Sequence, residues 1–415
     1  MPTKDLRLTD SFVGKFTQKF SLPVVAEWFL LISVALFWYE GFLRNVGLSF
    51  LSGSVAASVV LVLALIFADK SKIKILRPHI YLIIFFVAAL SSGVLAAERG
   101  VNAVLILSGW VLFAQFLIAI LAAQGVQKPK RLLNNLIYLS IPMILVGAYQ
   151  FVSQQATSKL WLSAAEKGIS TRSFAFFGSP NVLGAVLAIV ALISAGIYFS
   201  EKNKCMAVVS ILAIIVTIFT FSRSAWLGLA AGILVVLVIK NWELVLLSPI
   251  ALLALFSSQV RTRILTVFTP SYWFDSSLDG RLWSLNNGVN LLSKYPLFGT
   301  GPGTYGGQLA MNYASPVYLQ GIQNGYVALY FTDNQWLQLI VQTGIIGIIL
   351  FVLFVVEMFC HLISQYNKKQ DVIILAILGS FVAFMVTGFF GNVLEFGAIS
   401  VFMGILLGIS FNETK

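Results

Sequence analysis

Arg172, Arg223, Arg281 and Asp333 are the residues of this chain whose types could do chemistry together. An arginine presents a planar fork of donors that grips phosphate oxygens in two places at once. A carboxylate beside such arginines can take a proton from a hydroxyl. Arg172 lies in Thr171-Arg172-Ser173-Phe174-Ala175-Phe176-Phe177-Gly178-Ser179-Pro180-Asn181, an aromatic stretch whose last residues suit a helix start. Arg223 lies in Phe221-Ser222-Arg223-Ser224-Ala225-Trp226, with almost no loop between two apolar runs. It reads either as an arginine snorkelling at an interface or as an anion binder at the mouth of a membrane cavity. Arg281 opens Gly280-Arg281-Leu282-Trp283-Ser284-Leu285-Asn286-Asn287-Gly288-Val289. The spacing predicts a short amphipathic helix with Leu282, Leu285 and Val289 on one face, lying on a membrane surface.

Two further features flank these residues. The run Gly299-Thr300-Gly301-Pro302-Gly303 either turns the chain or presents the backbone N–H groups around Gly301 and Gly303 to an anion. Asp333-Asn334 precedes a long apolar run, so Asp333 reads either as a helix cap or as a general base. The two roles compete, because a carboxylate committed to capping is a weaker base. Glu395 is a second carboxylate at the same end, expected to orient an arginine or to act as an alternative base.

The elements that must position these residues are membrane helices. Of 415 residues, 59% are hydrophobic and 10% charged, and the mean hydropathy is +0.91. A soluble chain carries about 25% charged residues. Apolar runs of roughly 17 to 23 residues recur, each fitting one bilayer crossing. They are continuous rather than alternating, which excludes a strand barrel. The expected architecture is all-α and polytopic, with about twelve spans near 24–43, 46–68, 80–97, 101–122, 133–153, 181–199, 204–221, 225–239, 243–257, 334–360, 371–390 and 397–411. The chain reads as one integral membrane domain over 1–415 with two substantial outer loops, 154–180 and 258–332. No cleavable signal peptide is expected.

Charge orients the chain. Lys70, Lys72, Lys74, Arg77, Lys128, Lys130, Arg131, Lys202, Lys204, Lys240, Lys368 and Lys369 fall on one side, with Lys4, Arg7, Lys15, Lys19 and Lys415. The positive-inside rule makes that side cytoplasmic, with both termini. The other side receives mostly arginine: Arg44, Arg99, Arg172, Arg223, Arg261, Arg263 and Arg281, beside Lys159, Lys167 and Lys294. For Arg44, Arg99, Arg261 and Arg263 a plain solvated role is an equal alternative. The net charge of +11 is scattered over short loops, so it does not indicate a nucleic-acid groove. Cys205 and Cys360 are the only cysteines, and His79 and His361 the only histidines. A disulfide or a zinc site is not expected.

Three blocks resemble the O-antigen ligase and O-antigen polymerase superfamily of bacterial membrane glycosyltransferases. They are Arg172 to Asn181 with Leu183-Gly184; Phe221-Ser222-Arg223-Ser224-Ala225-Trp226-Leu227-Gly228; and Arg281 through Pro296-Leu297-Phe298-Gly299-Thr300-Gly301-Pro302-Gly303 to Asp333-Asn334-Gln335-Trp336-Leu337-Gln338 and Gly344-Ile345-Ile346-Gly347. The resemblance covers about residues 170–350. It implies a GT-C-like fold and a donor glycan carried on undecaprenyl pyrophosphate. The glycan moves to a sugar hydroxyl of a glycan or lipid-linked glycan on the outer face of the bacterial cytoplasmic membrane, without metal or cofactor. It implies pyrophosphate binding by Arg223 and Arg281 with Arg172 as a third; Asn334, Glu395, Gly301 and Gly303 are candidates for support beside them. The family usually has His-Asn where this chain has Asp333-Asn334, and that His is the proposed base. An unperturbed Asp has a pKa near 3.9 against about 6.5 for His, so Asp333 must be raised to serve equally well. The missing His favours a polymerase slightly over a ligase. Two other classes compete: a lipid-linked oligosaccharide flippase, and a membrane assembly protein without catalysis. A flippase calls for mid-span charges and two related halves; Glu27 is one of few such charges, and no half-repeat is visible.

Overall fold

The structure is a computed structural model, and it describes residues 22–50, 54–157, 171–240, 261, 265, 268–270, 273–274, 281–313, 315–319 and 332–412. The expected ninth span at 243–257, Arg263 and much of the loops 154–180 and 258–332 lie outside these residues. The described elements are all helical: α1 Leu22–Trp38, α2 Glu40–Asn45, α3 Ser54–Phe67, α4 Arg77–Glu98, α5 Ala103–Gln124, α6 Pro129–Val152, α7 Pro180–Glu201, α8 Lys204–Phe219, α9 Arg223–Lys240, α10 Arg281–Lys294, α11 Gln308–Asn312, α12 Pro316–Leu319, α13 Gln335–Lys369, α14 Val372–Thr387 and α15 Gly397–Ser410. Each of the other expected spans overlaps the described helices, the first of them running over both α1 and α2. By length and apolarity α4, α5, α6, α7, α9 and α13 can each cross a membrane, and α1, α3, α8, α14 and α15 are shorter apolar helices.

Burial sorts the helices into a centre and a rim. Every residue of α15 is buried, and 83% of the apolar window of α7 is buried against 28% for α9. A helix that is apolar all round belongs inside a bundle or against lipid. The centre is built from α7, α14 and α15, with α15 lying along α5 and α14 along α7 and α9. Rim helices turn apolar stripes outward at helical spacing, such as Val55, Val59, Val62 and Ile66 on α3 and Ile80, Val87 and Val94 on α4. Small residues let the helices close up: an added Cβ at Gly228 or Gly232 of α9 would run into the backbone of α14.

Helix α13 is broken. Gly344 takes φ 69° and ψ −170° inside it, a left-handed conformation that other residues adopt at a cost. The break frees backbone groups, and the segment 296–301 takes them up. Thr300 N–H donates to Val341 O at 2.8 Å and Gly301 N–H to Gln342 O at 3.0 Å, while Ile345 N–H donates to Pro296 O at 2.8 Å. Irregular backbone is tolerated at membrane depth where protein surrounds it. This glycine-rich segment is therefore part of the bundle's interior wall. Glu27 is no lone mid-span charge: it pairs with Arg131 and accepts the Lys128 N–H at 3.0 Å, at the start of α6.

Candidate functional site

One end of the bundle collects the arginines and acids, and it does so on two walls. The first wall is the 171–179 segment packed on the corner between α8 and α9. Arg172 is 2% exposed. Its Nε donates to Thr220 O at 2.9 Å, and its Nη2 donates to Asn181 Oδ1 at 3.0 Å and to Phe221 O at 3.4 Å. Those carbonyls are available because Phe221 has a left-handed φ of 49° that turns the corner before α9. The segment is held from behind by buried Gln150, whose Oε1 accepts the N–H groups of Phe174 at 3.0 Å and Ala175 at 2.7 Å. Arg223 opens α9 beside this wall, and its charge is felt at Arg172. Burial lowers the Arg172 guanidinium to about 10, Arg223 adds to the fall, and Asp333 opposes it. Arg172 thus remains charged at neutral pH.

The second wall joins α10 to the start of α13. Arg281 Nη2 donates to Asp333 Oδ2 at 3.3 Å and to Phe390 O at 3.3 Å. The two side chains are 38% and 39% exposed, so the pair is open to exchange with an incoming anion. Two residues 52 positions apart are brought together as the sequence predicts for a joint role. Residue Asn334 supplies the helix cap, its Oδ1 accepting the Leu337 N–H at 3.0 Å. That leaves Asp333, at a left-handed φ of 47°, out of the capping position and turned to Arg281. The competition between cap and base is resolved by one residue: Asn334 caps, and Asp333 faces the arginine. Crowding by protein raises the Asp333 carboxyl above its ordinary value, and Arg281 and Arg172 oppose the rise. The remaining exposure of the side chain to the cleft moderates that rise through solvent screening.

Helix α10 exposes Leu285 and Val289 and half-buries Leu282, while Ser284, Gly288 and Leu291 are buried on the side toward α13.

Two expected roles do not hold. Gly301 and Gly303 present no anion cradle, because their N–H groups donate to Gln342 O at 3.0 Å and Gln342 Oε1 at 3.1 Å. Gly303 is needed for closeness instead: an added Cβ at Gly109 of α5 would run into the Pro302–Gly303 backbone. Glu395 contacts no arginine in the described structure. Its carboxylate accepts from Leu309 N–H at 3.2 Å, Gln338 Nε2 at 3.1 Å and Asn392 Nδ2 at 3.3 Å, with the Gln308 N–H as a fourth donor. Burial pushes this carboxyl up and these donors hold it down. Four donors satisfy a carboxylate's oxygens, so Glu395 ties α11, α13 and the 392–395 turn together rather than awaiting a proton.

A set of buried amides completes the frame. Gln335, Gln338 and Gln342 lie on one face of α13. Gln342 Nε2 donates to Tyr305 O at 2.7 Å, and Gln335 Oε1 accepts the Leu394 N–H at 2.8 Å. Asn392 Nδ2 donates to Gly306 O at 2.7 Å, and its Oδ1 accepts from Thr332 Oγ1 at 3.2 Å, next to Asp333. Sequence reading passed over these amides and Gln150. Their signal was polarity inside apolar runs, which is costly in a membrane unless partnered.

The walls face each other across a cleft of about 40 Å³ lined by Ser179, Asn181, Ser224, Asp333, Asn392 and Phe396 among others. A water needs at least about 10–15 Å³ of such volume. The cleft has room for a few waters beside Asp333. Among the described residues no three His, Cys, Asp or Glu side chains gather as a metal site.

Residues 208–352 match the family described as O-antigen ligase. This match, over 145 of the 415 residues, supports the resemblance to the O-antigen ligase and polymerase superfamily. The matched stretch contains Arg223, Arg281 and Asp333; Arg172 and Glu395 lie outside it. No curated protein matches the chain. The family is one of membrane glycosyltransferase-type ligases and polymerases that act on lipid-linked glycans.

Proposed function

We propose that this protein transfers a glycan from a polyprenyl pyrophosphate to a sugar hydroxyl, with inversion, as a polysaccharide polymerase of the cytoplasmic membrane. The active end is the outer one by charge, and the architecture is GT-C-like with about twelve spans. The observation that carries this reading is the exchangeable Arg281–Asp333 pair at the rim of the cleft, within the field of Arg172 and Arg223.

The pair suggests an order of events. An incoming pyrophosphate draws Arg281 and Arg223 onto its oxygens, since phosphate takes two parallel guanidinium bonds where the carboxylate at 3.3 Å has one. Arg172, with its donors committed to the corner carbonyls, contributes charge and holds the wall. Asp333, released from Arg281, accepts the proton of the acceptor hydroxyl. The hydroxyl oxygen attacks the anomeric carbon from the face opposite the pyrophosphate, the carbon–oxygen bond to the pyrophosphate breaks, and its electron pair leaves with the arginine-bound anion. A general base adds roughly 10² to 10⁴ in rate.

The test is incubation of the purified protein with a polyprenyl-pyrophosphate-linked repeat unit, with and without EDTA. The expected products are longer glycans and free polyprenyl pyrophosphate in both. A lipid A core acceptor offered beside the repeat unit separates ligase from polymerase. Unchanged product with Arg281→Ala and Arg223→Ala would overturn the site.

A further inference from the structure

Arg281 and Asp333 meet through a contact of 3.3 Å between side chains that are each more than a third exposed. A pair of that kind contributes little and does not by itself hold a helix in place. The position of α10 relative to the start of α13 must be set by other bonds. The dipeptide Tyr305-Gly306 makes them to both sides.

Tyr305 is buried, packed with Leu291 of α10 and Val341 of α13. Its hydroxyl donates to Ser284 O at 2.5 Å, three residues on from Arg281, and lies 3.3 Å from Ser284 Oγ. Gly288 lets the ring come this close: an added Cβ there would lie 3.0 Å from the hydroxyl and 2.8 Å from Leu337 Cδ1. A buried phenol needs a hydrogen-bond partner, and Tyr305 takes its partner from the backbone of α10. On the other side the dipeptide reaches the residue before Asp333. Gly306 O accepts the Thr332 N–H at 2.9 Å and Asn392 Nδ2 at 2.7 Å. An added Cβ at Gly306 would run into the Thr332 side chain. Between the two, Gln342 Nε2 donates to Tyr305 O at 2.7 Å and ties the dipeptide to α13.

We infer that Tyr305-Gly306 is the gauge that sets the separation of Arg281 and Asp333, with Tyr305 a positioning residue for the transfer proposed above. The Tyr305 hydroxyl anchors the backbone of α10, so an incoming anion draws the Arg281 side chain and not the helix. Asp333 is then released on a turn whose approach Gly306 keeps in register. This role rests on Arg281 and Asp333 being partners in that transfer.

The test reads Asp333 without turnover. Its carboxyl band is followed across pH by infrared difference spectroscopy on the full chain in neutral detergent, and is assigned by its loss in Asp333→Asn. Arg281 and Arg172 are the charges that bear on this carboxyl, and both hold it down. Arg281→Ala should therefore move the titration to higher pH. Tyr305→Phe, which removes one oxygen, should move it in the same direction and should add nothing in the Arg281→Ala background. Turnover of a polyprenyl-pyrophosphate-linked repeat unit should fall by about tenfold in Tyr305→Phe, since a misplacement of ~1 Å can cost as much as about 10². That fall, too, should be absent in the Arg281→Ala background. No shift of the titration in Arg281→Ala or in Tyr305→Phe, or the same Tyr305→Phe effect in both backgrounds, would overturn the gauge. Shifts as expected, with no transfer of a lipid-linked glycan by the wild type, would overturn the proposed reaction and leave the gauge standing. A melting curve checks folding. If Tyr305→Phe unfolds, Gly288→Ala, which presses the hydroxyl away from α10, takes its place and should give the same shift.

Discussion

The two walls of the arginine end use the same residue type in opposite ways. On the α8–α9 wall, Arg172 is sealed, and its Nε and Nη2 hold two carbonyls and an amide oxygen of the corner. On the α10–α13 wall, Arg281 keeps more than a third of its side chain open and holds its carboxylate at 3.3 Å. A buried guanidinium with committed donors cannot follow a substrate, whereas a half-exposed one in a loose pair can. The contrast teaches that the arginines divide into one that braces the fold and one that is free enough to serve the proposed transfer, although their sequence contexts look alike.

Substitutions can break that division. Arg172→Ala is expected to have the largest effect, because it strips the partners from Thr220 O, Phe221 O and Asn181 while leaving a cavity. A loss on the order of 3 kcal/mol of stability should lower the melting midpoint and abolish activity with it. An unchanged midpoint would mean that the corner holds without this arginine. Asp333→Asn should leave the midpoint nearly unchanged and cut kcat by roughly 10² to 10⁴. It also carries a pH signature. The carboxyl is raised from its ordinary value, and only its ionised form accepts a proton, so wild-type activity should fall on an acid limb lying above the ordinary aspartate range. In Asp333→Asn that limb should vanish, and a limb that persists would move the base elsewhere. Arg281→Ala should cost roughly 10² in kcat with little change in melting, in line with the loss of one charge-stabilising donor. Arg281→Lys should recover part of that loss, since it restores the charge without the fork. The smallest catalytic effect is expected from Glu395→Gln, which replaces one accepting oxygen with an amide facing other donors. Stability should fall by about 1–3 kcal/mol while the pH profile of the remaining activity keeps its shape. A shifted acid limb in this variant would make Glu395 part of the chemistry.

What the sequence disclosed follows from what each signal reports. Long apolar runs report helices directly, and α1, α3 to α9 and α13 to α15 fall where those runs lie. Arginine on the side disfavoured for positive charge pointed to Arg172, Arg223 and Arg281, and the structure brings all of them to one end with Asp333. The cap at Asn334 was missed by one residue, because an Asp-Asn pair before a helix offers two acceptable caps and composition does not choose between them. The glycine run misled for a related reason. Glycines that face an anion and glycines that let a loop press against helix backbones read the same, and only the break at Gly344 reveals where the N–H groups go. The amides of Gln150, Gln338, Gln342 and Asn392 each look like a single polar residue in an apolar run, and their pairing across 24 to 86 positions is a property of the packed bundle.

The left-handed backbone at Asp333 sets a rule for exchange at this position. Outside glycine, that conformation is populated mainly by Asn, Asp and His, so the local geometry itself narrows the candidates to a carboxylate, an imidazole and their inert amide relative. A proton acceptor of either kind can be installed there without rebuilding the turn, while β-branched or bulky residues are filtered out before chemistry is consulted. Asp333→His is therefore the replacement that would exchange one proton acceptor for another on an unaltered chain path, and it should move the acid limb of the proposed reaction toward the ordinary histidine range.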